Sequence, residues 1–409
     1  MKKTSLGIFL ILALLLSSLM LPVSAGSYDG VFTGATFSVF AEYSEGDVGT
    51  YEMRGFAASP DGKYLYAGCL QGDKRVLKID AASGAVVGEY SDSEPGYPKG
   101  LFVDDRGYLY VGIAVQSNDG SVKYAIVNAD TMQEEYAEEI AIEGRVGING
   151  ATAKKIGDKY YLYFVTNYGP NYIYCYDVTD VKNPVLNQNV GEGGIVDLAA
   201  MLGGTEGSYI AVDSSGYIYL SYNNGGGSKG DTLYKLSPDG KSVVTQTAIT
   251  EAYGVHLIND EYVLVSTYDK ENSAVYVLNA GDLSQVAKIG SMDGSNYYSM
   301  AALGGDKIYV SDQGYSGNGD RILVSSVLAI PAPAAEVVVE EVEEAAEAAE
   351  AAEEEPAAPA EEAEPQPEVA PPPPVNVPSP NSGDATLFAF ALIALAGAAF
   401  VGAKKIKAR

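Results

Sequence analysis

The chain has no tryptophan, one histidine and two cysteines in 409 residues. With so few imidazoles and thiols, no zinc-ligand spacing exists, which excludes a zinc finger or a locally built zinc site. A Ser-His-Asp hydrolase would need a nucleophile on a strand-to-helix elbow and a carboxylate to orient the histidine. The sequence identifies neither, so no catalytic residue is assigned. Positive charge is also scarce, with 26 Lys and Arg against 54 Asp and Glu and a net charge of −28. Such a surface repels duplex nucleic acid and anionic head groups, leaving cations, polyamines, basic proteins and neutral glycans as partners.

Long apolar runs occur only at the two ends. Lys2 and Lys3 precede an apolar stretch from Leu6 to Leu21, then Pro22 and the small residues Val23-Ser24-Ala25. That order is expected of a secretory signal peptide, residues 1–25, with an uncleaved anchor as the alternative. At the other end, residues 385–403 carry no charge and are followed by Lys404, Lys405, Lys407 and Arg409. Nineteen helical residues nearly span a bilayer core, and the basic tail belongs on the cytoplasmic side. Between Pro331 and Gly383 there are 14 Glu and no Lys or Arg. Residues 331–378 therefore read as a disordered acidic stalk, extended by self-repulsion and by Pro371 to Pro374.

The middle of the chain, residues 26–330, is repetitive. Polar turns lead into short apolar strands anchored at Tyr66, Tyr110, Tyr163, Tyr219, Leu264 and Tyr309, spaced by 44, 53, 56, 45 and 45 residues. One four-stranded sheet with its turns has that length, so the pattern predicts an all-β, six-bladed β-propeller. In the first repeat, strands are expected over Arg54 to Ala58, Tyr64 to Cys69, Val76 to Ile79 and Ala85 to Tyr90, with Ser59-Pro60-Asp61-Gly62 as a turn. The last repeat lacks a fourth strand, while Thr36 to Tyr43 has a strand pattern and no sheet of its own. Closure of the ring by this N-terminal strand would cover an exposed edge. Cys69 and Cys175 fall two repeats apart, too far for a disulfide.

Ser59-Pro60-Asp61-Gly62-Lys63-Tyr64-Leu65-Tyr66, with Val76-Leu77-Lys78-Ile79-Asp80 and Ser83-Gly84, resembles the YVTN and lactonase-like β-propellers. The third repeat, with Tyr176-Asp177-Val178-Thr179-Asp180 and Asn183-Pro184-Val185, looks like the LVIVD repeat of bacterial and archaeal surface proteins. The resemblance covers about residues 30–330 and implies the propeller fold. Metal-binding lactonase-like relatives imply Ca²⁺ at Asn and Asp side chains around the channel, although Asn and Asp are also ordinary loop residues. Ser379-Pro380-Asn381-Ser382-Gly383, with the apolar span and basic tail behind it, resembles a sortase sorting signal. Ser stands in place of the usual Leu, and Ser382 in place of the usual Thr. The resemblance implies cleavage between Ser382 and Gly383 by a sortase-type transpeptidase and attachment to the cell wall. A plain membrane anchor is the alternative.

Propeller chemistry gathers where inner strands begin and where second strands turn into third ones. That geometry nominates Arg54, Asn149, Asn167, Tyr168, Asn223, Tyr268, Asp312 and Tyr315 as ligand-binding residues. His256, alternating with apolar neighbours, either faces the channel or is a satisfied core group. The expected function is that of a monomeric, surface-anchored binding or adhesion propeller for an extracellular ligand. A lactonase-like or metal-dependent hydrolase using the same mouth is the alternative.

Overall fold

The computed structural model describes residues 29–91, 96–114, 120–142, 147–167, 169–203, 206–223, 230–269, 271–290, 297–314 and 319–326. The segments expected to be a signal peptide, a stalk, an apolar span and a sorting signal lie outside them. No helix among the described residues is long and apolar enough to cross a membrane.

Strand β1 (Phe37–Tyr43) stands ahead of a first sheet of β2 (Thr50–Ala58), β3 (Tyr64–Gly72), β4 (Val76–Asp80) and β5 (Val86–Tyr90). The second sheet contains β6 (Tyr97–Val103), β7 (Tyr108–Ala114), β8 (Ser121–Asn128) and β9 (Gln133–Ala141). The third has β10 (Gly147–Ile156), β11 (Lys159–Asn167) and β12 (Tyr172–Asp177), with short β13 (Val185–Leu186) and β14 (Ile195–Asp197) both paired to β12. A seven-stranded sheet follows: β15 (Glu206–Val212), β16 (Ile218–Asn223), β17 (Gly230–Leu236), β18 (Val243–Ile258), β19 (Tyr262–Thr267), β20 (Ala274–Asn279) and β21 (Gln285–Gly290). The last sheet joins β22 (Tyr297–Gly304), β23 (Lys307–Gln313) and β24 (Asp320–Ser325) to β1, whose Phe37 to Tyr43 run antiparallel to Ser325 to Asp320.

Among the described residues the hydrogen-bonded sheets number five, where six separate ones were expected. The difference lies in β18, sixteen residues long. Its first half pairs with β17 through Thr245, Gln246 and Thr247, and its second half pairs with β19 through Val255, His256 and Leu257. No loop interrupts it; the chain turns at Glu251, whose φ of 60° is unusual for a residue with a side chain.

The arrangement is a β-propeller. Strands β2, β6, β10, β15, β18 and β22 pack in that order, and β22 returns to β2. The core sits between neighbouring sheets: Ala57, Tyr66 and Val76 of the first meet Leu101, Leu109, Val111 and Ala125 of the second. Cys69 and Cys175 are free thiols, each buried in a different cluster.

The repeat motif supplies ties between sheets as well as core. The Tyr66 hydroxyl donates to the Ala129 carbonyl of the next sheet at 3.1 Å, and the Lys78 ammonium to the Asp130 carbonyl at 3.0 Å. Further round, the Tyr219 hydroxyl and the Lys235 ammonium converge on the Ala280 carbonyl at 2.9 and 2.8 Å. Each lysine ammonium also sits over a tyrosine ring, Lys78 on Tyr64 and Lys235 on Tyr217. At the junction of last and first sheets the Tyr43 hydroxyl donates to the Gly84 carbonyl at 2.8 Å. Two residues beyond the anchor, the side chain is set by what the following inner strand needs. A Cβ on Gly68 would lie 2.1 Å from the Pro98 carbonyl oxygen, so nothing larger than glycine fits. Ser311 instead donates to the Met53 carbonyl at 2.6 Å, and Ser221 to the Tyr253 carbonyl at 2.6 Å.

Candidate functional site

Every strand lining the axis shifts register against the strand that follows it in the chain. Register shifts fall between Met53 and Gly55, Pro98 and Gly100, Ile148 and Gly150, Gly207 and Ile210, Ala252 and Val255, and Tyr298 and Met300. A bulge re-aims the side chain of the extra residue and frees local backbone groups. The residues so displaced are Arg54, Lys99, Asn149, Ser208 with Tyr209, Tyr253 with Gly254, and Ser299. Glycines beside the bulges let the strands close up: a Cβ on Gly100 would lie 2.8 Å from the Ala151 nitrogen, and one on Gly150 2.7 Å from the Tyr209 Cα.

Arg54 reaches over two neighbouring sheets. Its Nε donates to Gln313 Oε1 at 3.2 Å and its Nη2 to the Tyr268 hydroxyl at 3.0 Å. The Tyr268 hydroxyl itself donates to Gln313 Oε1 at 3.1 Å, and the guanidinium carbon sits 5.3 Å from the Tyr268 ring centre. The Tyr253 ring lies 4.8 Å from that of Tyr268, and the Tyr209 ring 5.0 Å from that of Tyr253. Tyr209 begins on β15, opposite β2 in the ring order, and its hydroxyl donates to the Arg54 and Lys99 carbonyls at 3.2 Å each. It thus bars the channel near its waist. Burial pushes its phenol well above the ordinary range, so it stays a donor at any relevant pH.

The two ends of the axis differ. On the side where inner strands begin stand Arg54, Tyr253, Tyr268 and Gln313. On this side too are Asn149 and Asn167, 2% and 1% exposed. Asn149 Oδ1, both amide atoms of Asn167 and Gln313 Nε2 are buried without a hydrogen-bond partner. Past the bar, where the strands end, lies a cavity of about 440 Å³. Phe56, Leu101, Ile210, Val255 and Met300 line it, with His256, Lys154, Thr152 and Asn259 among the polar residues.

Of the residues nominated from sequence, Arg54 and Tyr268 touch one another, while Asn149 and Asn167 belong to one strand pair, β10 and β11. Asp312 is placed differently. It is fully buried, and its Oδ2 accepts from Arg321 Nε at 2.9 Å, which commits the carboxylate to holding β23 to β24. Tyr168 and Tyr315 lie outside the described residues, as does the side chain of Asn223. Lys99, displaced by the bulge of β6, is 5% exposed and supplies a carbonyl to Tyr209. Sequence reasoning passed over Tyr209, because an inner-strand tyrosine does not signal a crossing of the axis.

Among the described residues no group of three His, Cys, Asp or Glu side chains is placed to hold a metal ion. Asp320 is the nearest carboxylate to such a role. Its Oδ1 accepts from the Met53 amide at 3.1 Å and the Gly314 amide at 2.7 Å, and its Oδ2 is buried without a partner. Burial raises its pKa to about 6 against the pull of those amides. His256 borders the cavity, half-buried, with its ring 6.5 Å from that of Phe102. Burial, and secondarily the Lys154 charge, push its pKa down to about 4, so the imidazole is neutral near pH 7.

No family model and no curated protein matches this chain. The resemblance to YVTN, lactonase-like and LVIVD propellers therefore rests on the short motifs alone. Among solved structures, the chain is similar to the β-propeller domain of Cps50 (Swd1) from Myceliophteria thermophila, at 12% identity and a TM-score of 0.44, over 70% of this chain and 99% of that one. It is similar also to the PQQ-bound aldose sugar dehydrogenase of Streptomyces coelicolor, at 14% identity and a TM-score of 0.46, over 71% and 98%. Hydrazine synthase of Kuenenia stuttgartiensis matches at 18% identity and a TM-score of 0.43, over 64% and 74%.

Proposed function

We propose that this chain is an exported, surface-anchored binding propeller that takes a polar extracellular ligand, such as a glycan or peptide, at the opening where its inner strands begin. The observation that carries the reading is the set of buried, unpartnered amide atoms on Asn149, Asn167 and Gln313, at the strand ends on the same side as the Arg54–Tyr268 pair. A buried polar atom left unpaired costs about 1–3 kcal/mol, so hydroxyl or carbonyl groups that satisfy several of them at once would bind there favourably. Arg54 adds a cation, which suits sugar hydroxyls or a peptide carboxylate, and Tyr268 holds its guanidinium in place.

In this reading the seven-stranded sheet is two blades sharing β18, which makes six units in all, a number that agrees with the six bulged strands lining the axis. The repeat motifs support kinship with YVTN-type propellers. The N-terminal apolar run, the acidic stalk and the charge-free span ahead of a basic tail support export and tethering, with Ser382 and Gly383 as the junction for a sortase-type transpeptidase.

The test is binding of the full chain to arrays of glycans and wall fragments, with Arg54→Ala and Asn167→Ala compared with the native protein. Saturable binding weakened at least tenfold by either substitution is expected. Binding that neither changes would refute the assignment to this opening, and lactone or ester turnover abolished by Arg54→Ala would move the protein to the hydrolases. Recovery of a mature C-terminus ending at Arg409 would exclude sorting.

A further inference from the structure

We propose that the cavity at the opposite end of the axis is a second, independent binding site, for a small neutral molecule with a mostly apolar body and one hydrogen-bonding head. The volume of about 440 Å³ lies within the range of small-molecule pockets. Its wall is apolar on all sides of the axis, from Phe56 and Leu101 through Ala151 and Ile210 to Val255 and Met300. Ile210, the neighbour of Tyr209, lines the cavity, and Pro60, Asn259 and Gly305 bring the turns that follow three inner strands to its edge.

The polar groups select the charge of the occupant. Lys154 is committed to Asp260, Nζ to Oδ1 at 2.7 Å, and Asp260 also accepts from the Ser214 amide at 3.1 Å. This clasp joins the third sheet to two turns of the seven-stranded sheet at the rim and leaves no net charge there. A charged ligand would be desolvated with no counter-charge, which costs several kcal/mol. The His256 imidazole is neutral and offers one donor and one acceptor nitrogen, beside the flat face of Phe102. An aromatic or aliphatic molecule bearing a single hydroxyl or carbonyl matches that wall.

The experiment is photolabelling of the full chain with the neutral probe phenyl(trifluoromethyl)diazirine, followed by peptide mapping. Adducts in residues 101–103, 210–212 and 255–257, suppressed by Nile red as a neutral competitor, are the expected result. Absence of adducts from those three segments while others are labelled would overturn the proposal. The substitution Ala211→Phe fills the cavity from β15 and should cut Nile red-competed labelling there at least tenfold. Unchanged labelling in a variant that melts like the native protein would likewise overturn it. Because the native chain alone decides the first arm, the outcome does not depend on the variant folding. It is also independent of glycan binding at the other opening.

Discussion

Two substitutions at Tyr209 separate what its hydroxyl does from what its ring does. In Tyr209→Phe the ring remains against Tyr253, and only the bonds to the Arg54 and Lys99 carbonyls are lost. Both are long at 3.2 Å, so the loss belongs at the low end of the range for a buried hydrogen bond, about 1 kcal/mol. Tyr209→Ala removes the ring as well. Deleting a buried aromatic costs about 3–5 kcal/mol, and loss of the edge-on pair with Tyr253 adds about 1 kcal/mol. The bar would also be gone, letting water from both openings wet the channel, so the total should stay near 5 kcal/mol. For a domain near 300 residues, the unfolding entropy converts these values to roughly 1–2 °C and 7–9 °C in melting temperature. Urea denaturation followed by tyrosine fluorescence measures both, and the slope should be unchanged for Phe. Photolabelling of the Ala variant should extend to the segment holding Tyr253. An alanine variant within 1 kcal/mol of the native protein, with labelling still confined below the bar, would refute the idea that Tyr209 divides the axis.

Gly68→Ala should destabilise by about 3 kcal/mol, since its Cβ would sit 2.1 Å from a backbone oxygen of the next sheet and neither strand can yield cheaply; a melting temperature within 1 °C of native would contradict the stitching role. His256 has a folded pKa depressed to about 4, so its contribution is complete above the unfolded value of about 6.5 and is lost as pH falls toward 4. A His256→Gln variant should therefore lose less stability than the native chain over that window, by about 2 kcal/mol after allowing for the wettable cavity. Asp320 runs the other way. Its folded pKa is raised to about 6, so its stabilising neutral form is fully present below the unfolded value near 3.8, and stability is lost as pH rises through 6. Asp320→Asn keeps the acceptor for the Met53 and Gly314 amides and should gain on the native protein between pH 4 and 7, by no more than about 3 kcal/mol; a pH-independent difference in melting would sink the assignment.

Much of the strand layout is local, and local patterns are readable. The anchors Tyr66, Tyr110, Tyr163, Tyr219, Leu264 and Tyr309 all fall in second strands, because polar turn residues followed by an apolar run define a strand without help from distant parts of the chain. The early segment Phe37–Tyr43 was recognisable as a strand without a sheet for the same reason, and the structure pairs it with β24. Of the nominated ligand residues, Arg54 and Tyr268 are brought together, since both sit where propeller strands turn at one end. Asp312, nominated alongside them, is instead committed to Arg321, a pairing between β23 and β24 that no local pattern shows.

Sequence by itself determined the strand periodicity, the acidic balance, the composition of the two ends and the scarcity of histidine and cysteine, all properties of neighbours along the chain. Tertiary structure alone decided that β18 runs unbroken from β17 to β19, that every axial strand carries a bulge, and that Tyr209 reaches the far side of the ring. These depend on pairing register and on distances between residues some 110 to 155 positions apart, and no local pattern of residues carries that information.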